Sequence, residues 1–556
     1  MILELKNQLK ASLRKVLENK GFSLLLDKVE LEETKNSKFG FFSTNLPFLI
    51  SSAYKKSIEE SEQILISSFP KNELIQKVEA VQGYLNFFIS PDLIENFFRS
   101  SLKRRKIISR ANNEENKKDK YFVEIVSANP TGILHIGHIR NGVITDTISN
   151  LLEYNNNSVF RTYLINDAGT QIEELLRSIH NFYSFTSRGG VGISLTEESN
   201  VKYTGSEIKE CAEAISQKFG YNWELTDKEL THQIKLFAVE FFLDKIKKEL
   251  KSLSIQVDSW DYESRICSES ALTNLIKKLE DFIYLKDNAL WFKTSAFLEG
   301  YEKDDVLVKS DGKISYFGQD LIYHLHKLEF LGKTGTIVNT LAEDHKGHID
   351  RMKAFFYSIG VPQDSVKYKI TRLSRLIMEG KKIVFSKREN IFLSAEELKE
   401  HLSVDEIRWF LCSRDEENEL DIDLSKLKNK DYNNQIFYIL YAYSRALKIT
   451  ERIYFDLSES KLSFEKLDSE VEQSLINSVL SVELKFQKAI QTLKVHIMSD
   501  YLFSLAKKFH SFYESVSVIN EPNTETQITR FALVKLVLRI FSELLPLFRI
   551  TPTTLN

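Results

Sequence analysis

The sequence predicts a multidomain protein of α/β plus all-α class, with a small α+β module ahead of an α/β core and a helical C-terminal region. Three observations carry this. The chain has 556 residues, too many for one ordinary domain. Downstream of residue 118 a strand, a glycine-bearing turn, a helix and a second strand follow one another, which is how a parallel α/β sheet begins. From residue 396 to the end, apolar residues recur at helical spacing throughout.

The elements follow in order. The opening "MILELKNQLKASLRKVLENK" reads as an amphipathic helix, with charges throughout and no signal-peptide apolar core. "KFGFFSTNLPF" (38–48) comes next, then "QKVEAVQGYLNFFIS" (76–90), which is β-rich with Gly83 as a turn or bulge. These make an N-terminal domain over residues 1–110. The polar run "SRANNEENKKDK" (109–120) is a linker by composition. "YFVEIVSANP" (121–130) has the short apolar core of a buried strand and breaks at Pro130. Ile139, Val143, Ile144, Ile148, Leu151 and Leu152 then fall at helical spacing, and "SVFRTYLIND" is the second strand. Residues from about 184 to 260 are charged and mostly helical, so a helical insertion is expected over about 184–300. "KISYFGQDLIYHLHKLEFL" and "GTIVNTLAEDHKGHIDRMKAFF" restore the alternation, giving an α/β domain over 118–395. The helical domain takes 396–556.

Composition narrows the class. Apolar residues at 42% and charged residues at 28% are ordinary for a globular protein. No window approaches the roughly 18–20 apolar residues of a membrane span, so no membrane is expected among the partners. Cys211, Cys267 and Cys412 lie too far apart for a disulfide framework or a CxxC knuckle. A reducing, cytoplasmic setting is the simplest expectation. The net charge of −3 excludes little, since a large enzyme can confine its positive charge to patches that grip RNA.

The densest signal is "SANPTGILHIGHIRNG" (127–142). Phosphate oxygens are held well by backbone N–H groups at a helix N-terminus, where unpaired donors and the helix dipole favour an anion. Gly132 and Gly137 let backbone or a flat adenine approach closely. His135 and His138, three residues apart, share a face if the helix opens there, and each can donate to a phosphate oxygen. A metal pair is the first rival, yet helical zinc pairs usually sit at i, i+4 and no third ligand of suitable spacing is near. Two structural histidines are the second. The strand before the turn favours the nucleotide site, because it puts the histidines where ligands bind in parallel sheets.

These residues resemble a known pattern. "PTGILHIGH" (130–138) is similar to the HIGH signature of class I aminoacyl-tRNA synthetases, shared in looser form with nucleotidylyltransferases. The partner motif KMSKS has its counterpart at Val384, Phe385, Ser386, Lys387 and Arg388, with Val384 where the first lysine stands and Lys387 as the retained second lysine. "NDAGTQ" (166–171), "ISYFGQDLIYHLHKLE" (314–329), "AEDHKGHIDR" (342–351) and "YILYAYSRALKI" (438–449) extend the resemblance along the whole chain, to the arginyl-tRNA synthetases.

The resemblance implies a Rossmann-like class I catalytic core, an N-terminal tRNA-contacting domain and a C-terminal anticodon-binding bundle. It implies that Tyr316 and Asp320 hold the arginine guanidinium, that Glu124 and Asn129 hold its α-amino group, and that His345 lines the pocket. Gly132, His135, Gly137, His138, Ser386 and Lys387 would bind ATP, with His135, His138 and Lys387 catalytic. The expected substrates are L-arginine, ATP with Mg²⁺ and arginine tRNA, without zinc, and the chain is expected to be a monomer. The chemistry of arginine agrees: a guanidinium is planar, always charged and offers five donors, so its pocket needs a carboxylate and further acceptors. Two other readings stay open at this point: a nucleotidylyltransferase of the HIGH superfamily, and a catalytically impaired paralogue that binds tRNA.

Overall fold

The computed structural model describes residues 1–108, 118–126, 128–187, 202–332, 335–342, 346–372, 374–378, 381–383, 394–423 and 434–554. They gather into two compact units, Asn112–Lys428 and the pair Met1–Ala111 with Asn429–Asn556.

The unit Asn112–Lys428 is built on a five-stranded parallel sheet. Its strands in chain order are β1 (Lys120–Glu124), β2 (Ser158–Ile165), β3 (Ser259–Tyr262), β4 (Gly335–Ala342) and β5 (Val366–Thr371). Across the sheet they lie in the order β5-β4-β1-β2-β3, every pair parallel. This is the doubly wound, Rossmann-like order, and its connections reverse direction between β1 and β4. Ligands of such sheets sit beyond the carboxyl ends of the strands at that switch point. Glu124 ends β1 there, opposite Thr162 of β2.

Four helices carry the site. Helix α1 (Ile136–Tyr154) follows β1 and is buried on nearly every side from Ile139 to Leu152. Gly142 permits this: a Cβ there would come within 2.8 Å of Val126 Cγ2 and 3.0 Å of Ile255 Cδ1. Helix α2 (Lys228–Ser252) lies in the crossover between β2 and β3. Helix α3 (Tyr316–Leu331) is capped by Ser315, whose Oγ accepts the Gly318 N–H at 3.0 Å. Its first turn presses on the strand Asp305–Val308, since a Cβ at Gly318 would lie 2.5 Å from the Leu307 carbonyl oxygen. Helix α4 (Lys346–Ser358) precedes β5. Phe122, Leu321, Leu325, Ile337, Met352 and Phe355 join β1, α3, β4 and α4 in one apolar core.

Two stretches differ from the sequence reading. The segment expected as a helical insertion over about 184–300 does hold the helices Ser206–Phe219 and Lys228–Ser252, but it also supplies β3 to the main sheet. Downstream of β3, Ile283–Lys286, Ala289–Phe292 and Asp305–Val308 form a separate antiparallel sheet. Strands of four residues are too short for a two-residue period to register, and sheet pairing decides them. The helices Ala395–Lys399 and Val404–Cys412 and the strand Leu420–Asp423 belong to the α/β unit rather than to the C-terminal helices. Helical spacing cannot say what a helix packs on. Here Arg408, fully buried, donates to Asp146 Oδ2 of α1 at 2.6 Å and to the Leu253 carbonyl at 2.8 Å.

The other unit opens with the helix Ile2–Asn19 and holds a four-stranded antiparallel sheet. Its hairpin Ile75–Val81 to Tyr84–Ile89 turns on Gln82 (φ 51°) and Gly83 (φ 81°), the pair of positive φ values that a two-residue type I′ turn requires. The C-terminal helices Gln435–Arg452, Glu470–Leu480, Val482–Thr492, His496–Ser515 and Thr524–Leu544 complete this unit. Among the described residues, no helix is long and apolar enough to cross a membrane.

Candidate active site

The glycine–histidine turn sits where the switch point predicts. His135 is the N-cap of α1, and its Nδ1 accepts the Gly137 N–H at 3.1 Å. That bond places the proton of the neutral ring on Nε2, a donor suited to a phosphate oxygen. One turn on, the His138 ring stacks on that of His135, with centroids 3.7 Å apart and planes 20° from parallel. Gly137 lies in the first turn of the helix, whose N-terminal dipole favours an anion. A Cβ at Gly132 would come no nearer to protein than 3.4 Å, at Glu207 Oε1, so the fold leaves room at that position.

Beside this turn lies a polar site at the end of β1. Asn129 is held twice: its Nδ2 donates to Gln171 Oε1 at 2.6 Å, and its Oδ1 accepts from Asn166 Nδ2 at 2.7 Å. Glu124 is paired with Lys327 of α3, whose Nζ lies 2.5 Å from Glu124 Oε2. Lys327 is fully buried, sits 4.0 Å from the Tyr323 ring centroid and also donates to Asn339 Oδ1 at 2.9 Å. The Asn339 amide donates in turn to His324 Nε2 at 2.8 Å, and His324 Nδ1 donates to the Asp320 carbonyl at 2.8 Å when the proton is assigned there. Burial, with Lys327 nearby, pushes the His324 pKa down to about 3, so its ring is neutral and serves as one donor and one acceptor. A hydrogen-bonded chain thus runs from Glu124 to the backbone of Asp320.

The far end of this chain is acidic. Tyr316 and Asp320 stand one turn apart on α3, Tyr316 exposed and Asp320 half-buried, and the Tyr316 hydroxyl lies 3.0 Å from Thr170 Oγ1. His348 of α4 brings Nε2 to 2.7 Å from Asp320 Oδ2, while its Nδ1 accepts from Arg351 at 2.9 Å. Asp167 takes the Ser264 N–H at 3.0 Å and the Ser264 hydroxyl at 2.5 Å. Next to Ser264, the Glu263 carboxyl is pushed up to about 7 by burial and by the charges of Asp320 and Asp167. Three carboxylates gather here and Glu263 resists ionisation, so the place would favour a positively charged ligand group. The loop of residues 166–171 joins the two ends: Asn166 and Gln171 fix Asn129, Asp167 fixes Ser264, and Thr170 meets Tyr316.

The sequence brought Glu124, Asn129, Gly132, His135, Gly137, His138, Tyr316 and Asp320 forward, and they lie along the carboxyl edge of the sheet and the helices that follow it. His345, Ser386 and Lys387 lie outside the described residues. Glu263, Lys327 and His348 were missed. Lys327 and His348 lie inside quoted motif segments, so helical spacing from Asp320 could have drawn notice to Lys327, two turns on. Glu263 begins a four-residue helix and carries no local signal.

Comparison with known proteins agrees along the chain. Residues 102–401 match the family model of class I tRNA synthetases (R), catalytic domain. Residues 3–89 match the arginyl tRNA synthetase N-terminal domain, and residues 439–554 the DALR anticodon binding domain. The arginine–tRNA ligase of Mycoplasma mobile is 32% identical over 527 residues, covering 94% of this chain and 95% of that protein. The arginine–tRNA ligase of Ureaplasma parvum is 30% identical over 536 residues, covering 94% of each. In fold, the Thermus thermophilus arginyl-tRNA synthetase superposes with a TM-score of 0.75 at 19% identity, over 99% of this chain and 100% of that one. The Plasmodium falciparum arginyl-tRNA synthetase gives a TM-score of 0.73 at 18% identity, over 99% of each chain.

Proposed function

The chain belongs to the arginyl-tRNA synthetase family and catalyses arginine tRNA aminoacylation, and on that premise we propose how its residues divide the work. The arginine guanidinium enters between Asp320 and Glu263, with the Tyr316 hydroxyl beside it. The α-amino group meets Glu124 and Asn129, and His345 lines the pocket. ATP lies over Gly132 and Gly137 at the start of α1, with Ser386 and Lys387 on its phosphates. Mg²⁺ accompanies ATP through its phosphate oxygens rather than through a cage of protein ligands.

The arginine carboxylate attacks the α-phosphorus of ATP, forming arginyl-adenylate and releasing pyrophosphate. The 2′-hydroxyl of the terminal adenosine of arginine tRNA then takes the arginyl group and AMP leaves. Positioning and charge stabilisation are the protein's main share, so no strong base is needed. His135 and His138 donate to the oxygens of the pentavalent phosphorus, and Lys387 neutralises the leaving pyrophosphate. Residues 439–554 hold the anticodon of the tRNA, and the N-terminal module contacts the tRNA elsewhere.

The observation that supports this assignment best is the gathering of Asp320, Glu263 and Asp167, where burial first and then the neighbouring charges push the Glu263 carboxyl up to about 7, a place that favours a cation. Uncharged amino acids are rejected because they desolvate these carboxylates without supplying a compensating positive charge. A filter assay with labelled arginine, saturating ATP and arginine tRNA tests it. Tyr316 and Asp320 mark the pocket, so Asp320→Ala is expected to raise the arginine KM about 10–100-fold, the loss of a charge-assisted hydrogen bond. Unchanged arginine kinetics in that variant would show the pocket to be elsewhere, and no tRNA-linked label with the natural chain would sink the enzymatic reading.

A further inference from the structure

Helix α2 ends beside the nucleotide turn, and a carboxylate in its last turn makes two bonds of an unusual kind. Glu249 Oε2 accepts the Leu134 N–H at 3.0 Å, and Glu249 Oε1 accepts the Ala395 N–H at 3.2 Å. Leu134 directly precedes the N-cap His135. Ala395 opens the helix Ala395–Lys399, the first element after the sequence that carries Ser386 and Lys387. One side chain therefore ties the backbone of two segments that stand far apart in sequence.

A structural role alone accounts poorly for this residue. A negative charge in the last turn of a helix opposes the helix dipole, so Glu249 weakens the helix it sits in. Burial also pushes its pKa up, which the two backbone donors partly reverse. The two backbone donors, with Lys399 nearby, offset that cost. The surrounding end of α2 is fixed to the same partners: Lys399 Nζ donates to Ser252 Oγ at 3.0 Å, and Arg408 joins the Leu253 carbonyl to Asp146 of α1.

We propose that Glu249 is a positioning residue for the adenylation step, setting the spacing between the backbone ahead of His135 and the start of the helix Ala395–Lys399. This rests on the ATP-binding role proposed for His135, His138 and Lys387. Reaction rates fall steeply when reacting groups are displaced by an ångström, so a lost spacer acts on the ATP side of the reaction. Arginine binding, which uses α3 and the loop 166–171, is left in place.

The test is steady-state charging by the full chain with arginine tRNA, varying ATP and arginine in turn, alongside thermal melting. In Glu249→Ala, kcat/KM for ATP is expected to fall at least about tenfold while the arginine KM stays within about twofold. Glu249→Gln keeps one acceptor but turns an N–H donor on the other backbone N–H. Its kcat/KM for ATP should therefore fall between those of the natural chain and Glu249→Ala, with the arginine KM still within about twofold whatever small melting-temperature loss the missing bond brings. If both variants keep normal ATP kinetics, or if ATP and arginine parameters worsen together in step with melting temperature, Glu249 is only structural and the proposal fails. Should the alanine variant not fold, the glutamine variant decides by the same comparison. A natural chain that charges no tRNA with arginine would instead remove the reading on which the proposal rests.

Discussion

Glu263 is a residue at which the proposed arginine site and the stability of the fold make opposite demands. Its carboxyl stands at about 7 because burial and the neighbouring Asp320 and Asp167 disfavour its charge. In the unliganded protein, ionising it in the fold costs more than ionising it in the unfolded chain. Stability therefore falls as pH climbs from the ordinary glutamate range towards 7, and the loss is complete above it. Glu263→Gln removes that cost, so a gain on the order of 2 kcal/mol is expected at pH 8 by denaturant unfolding. Binding has the opposite sign: a guanidinium favours the ionised carboxyl, so the arginine KM of the natural chain should rise as pH drops below about 7. In Glu263→Gln that pH dependence should flatten and the KM be raised throughout. A variant that is both stabler and as good at binding arginine would mean that Glu263 does not face the substrate. Destabilising carboxylates of this kind are what a site looks like before its ligand supplies the missing charge.

At the scale of elements, what was legible in the sequence is what is local to it. His135, His138 and their glycines are within a few residues of one another, so the strand–turn–helix could be read from spacing alone, while at the hairpin the sequence marked Gly83 as a turn or bulge and the structure shows Gln82 beside it to share the turn. Tyr316 and Asp320 are one helical turn apart. By contrast, β3 is four residues long and was hidden in a charged, helical stretch, while Lys327, His348 and Glu263 reach the site only through tertiary packing. The helix Val404–Cys412 was read as a helix but not as a partner of α1, since amphipathic spacing is silent about neighbours. Gly318 tests how closely an element's packing governs the site. A Cβ there would press on the backbone carbonyl oxygen of Leu307 at 2.5 Å, whereas the nearest atoms to one at Gly142 belong to the side chains of Val126, Ile255 and Leu250. Gly318→Ala must therefore move the start of α3, and with it Tyr316 and Asp320. A loss of about 1–3 kcal/mol in denaturant unfolding is expected, together with a raised arginine KM. Gly142→Ala should cost less, because side chains can turn aside. Equal arginine kinetics in Gly318→Ala and the natural chain would mean that α3 tolerates the shift without disturbing the pocket.

At the scale of the whole molecule, the first hundred residues and the last hundred and more fold as one unit rather than as two domains strung at opposite ends of the chain. The bonds between them are specific. Arg99 donates to the Leu457 carbonyl at 3.2 Å and to the Ser460 carbonyl at 2.7 Å. Arg539 donates to the carbonyls of Ser101 and Arg104, Glu543 accepts the Ile107 N–H at 2.8 Å, and Lys485 pairs with Glu33 at 2.7 Å. Phe98, fully buried, packs against Phe464 with ring centroids 4.5 Å apart. Deleting residues 1–108 would thus take the carbonyl acceptors from half-buried Arg539 and the Ile107 N–H from Glu543, leaving those two only each other, and expose an aromatic core on the helices that remain. Each of these is among the costlier events in a fold. The truncated chain is expected to lose the cooperative melting of its C-terminal helices and to bind a hydrophobic dye there. The sheet unit Asn112–Lys428 should still respond to arginine, gaining about 2.7 kcal/mol at a hundred times the dissociation constant. Hydrogen exchange read separately over residues 435–544 and over the parallel sheet distinguishes the outcomes. Full protection of the helices after the deletion would mean that they fold without the N-terminal module, and that its many bonds to them serve tRNA geometry rather than stability.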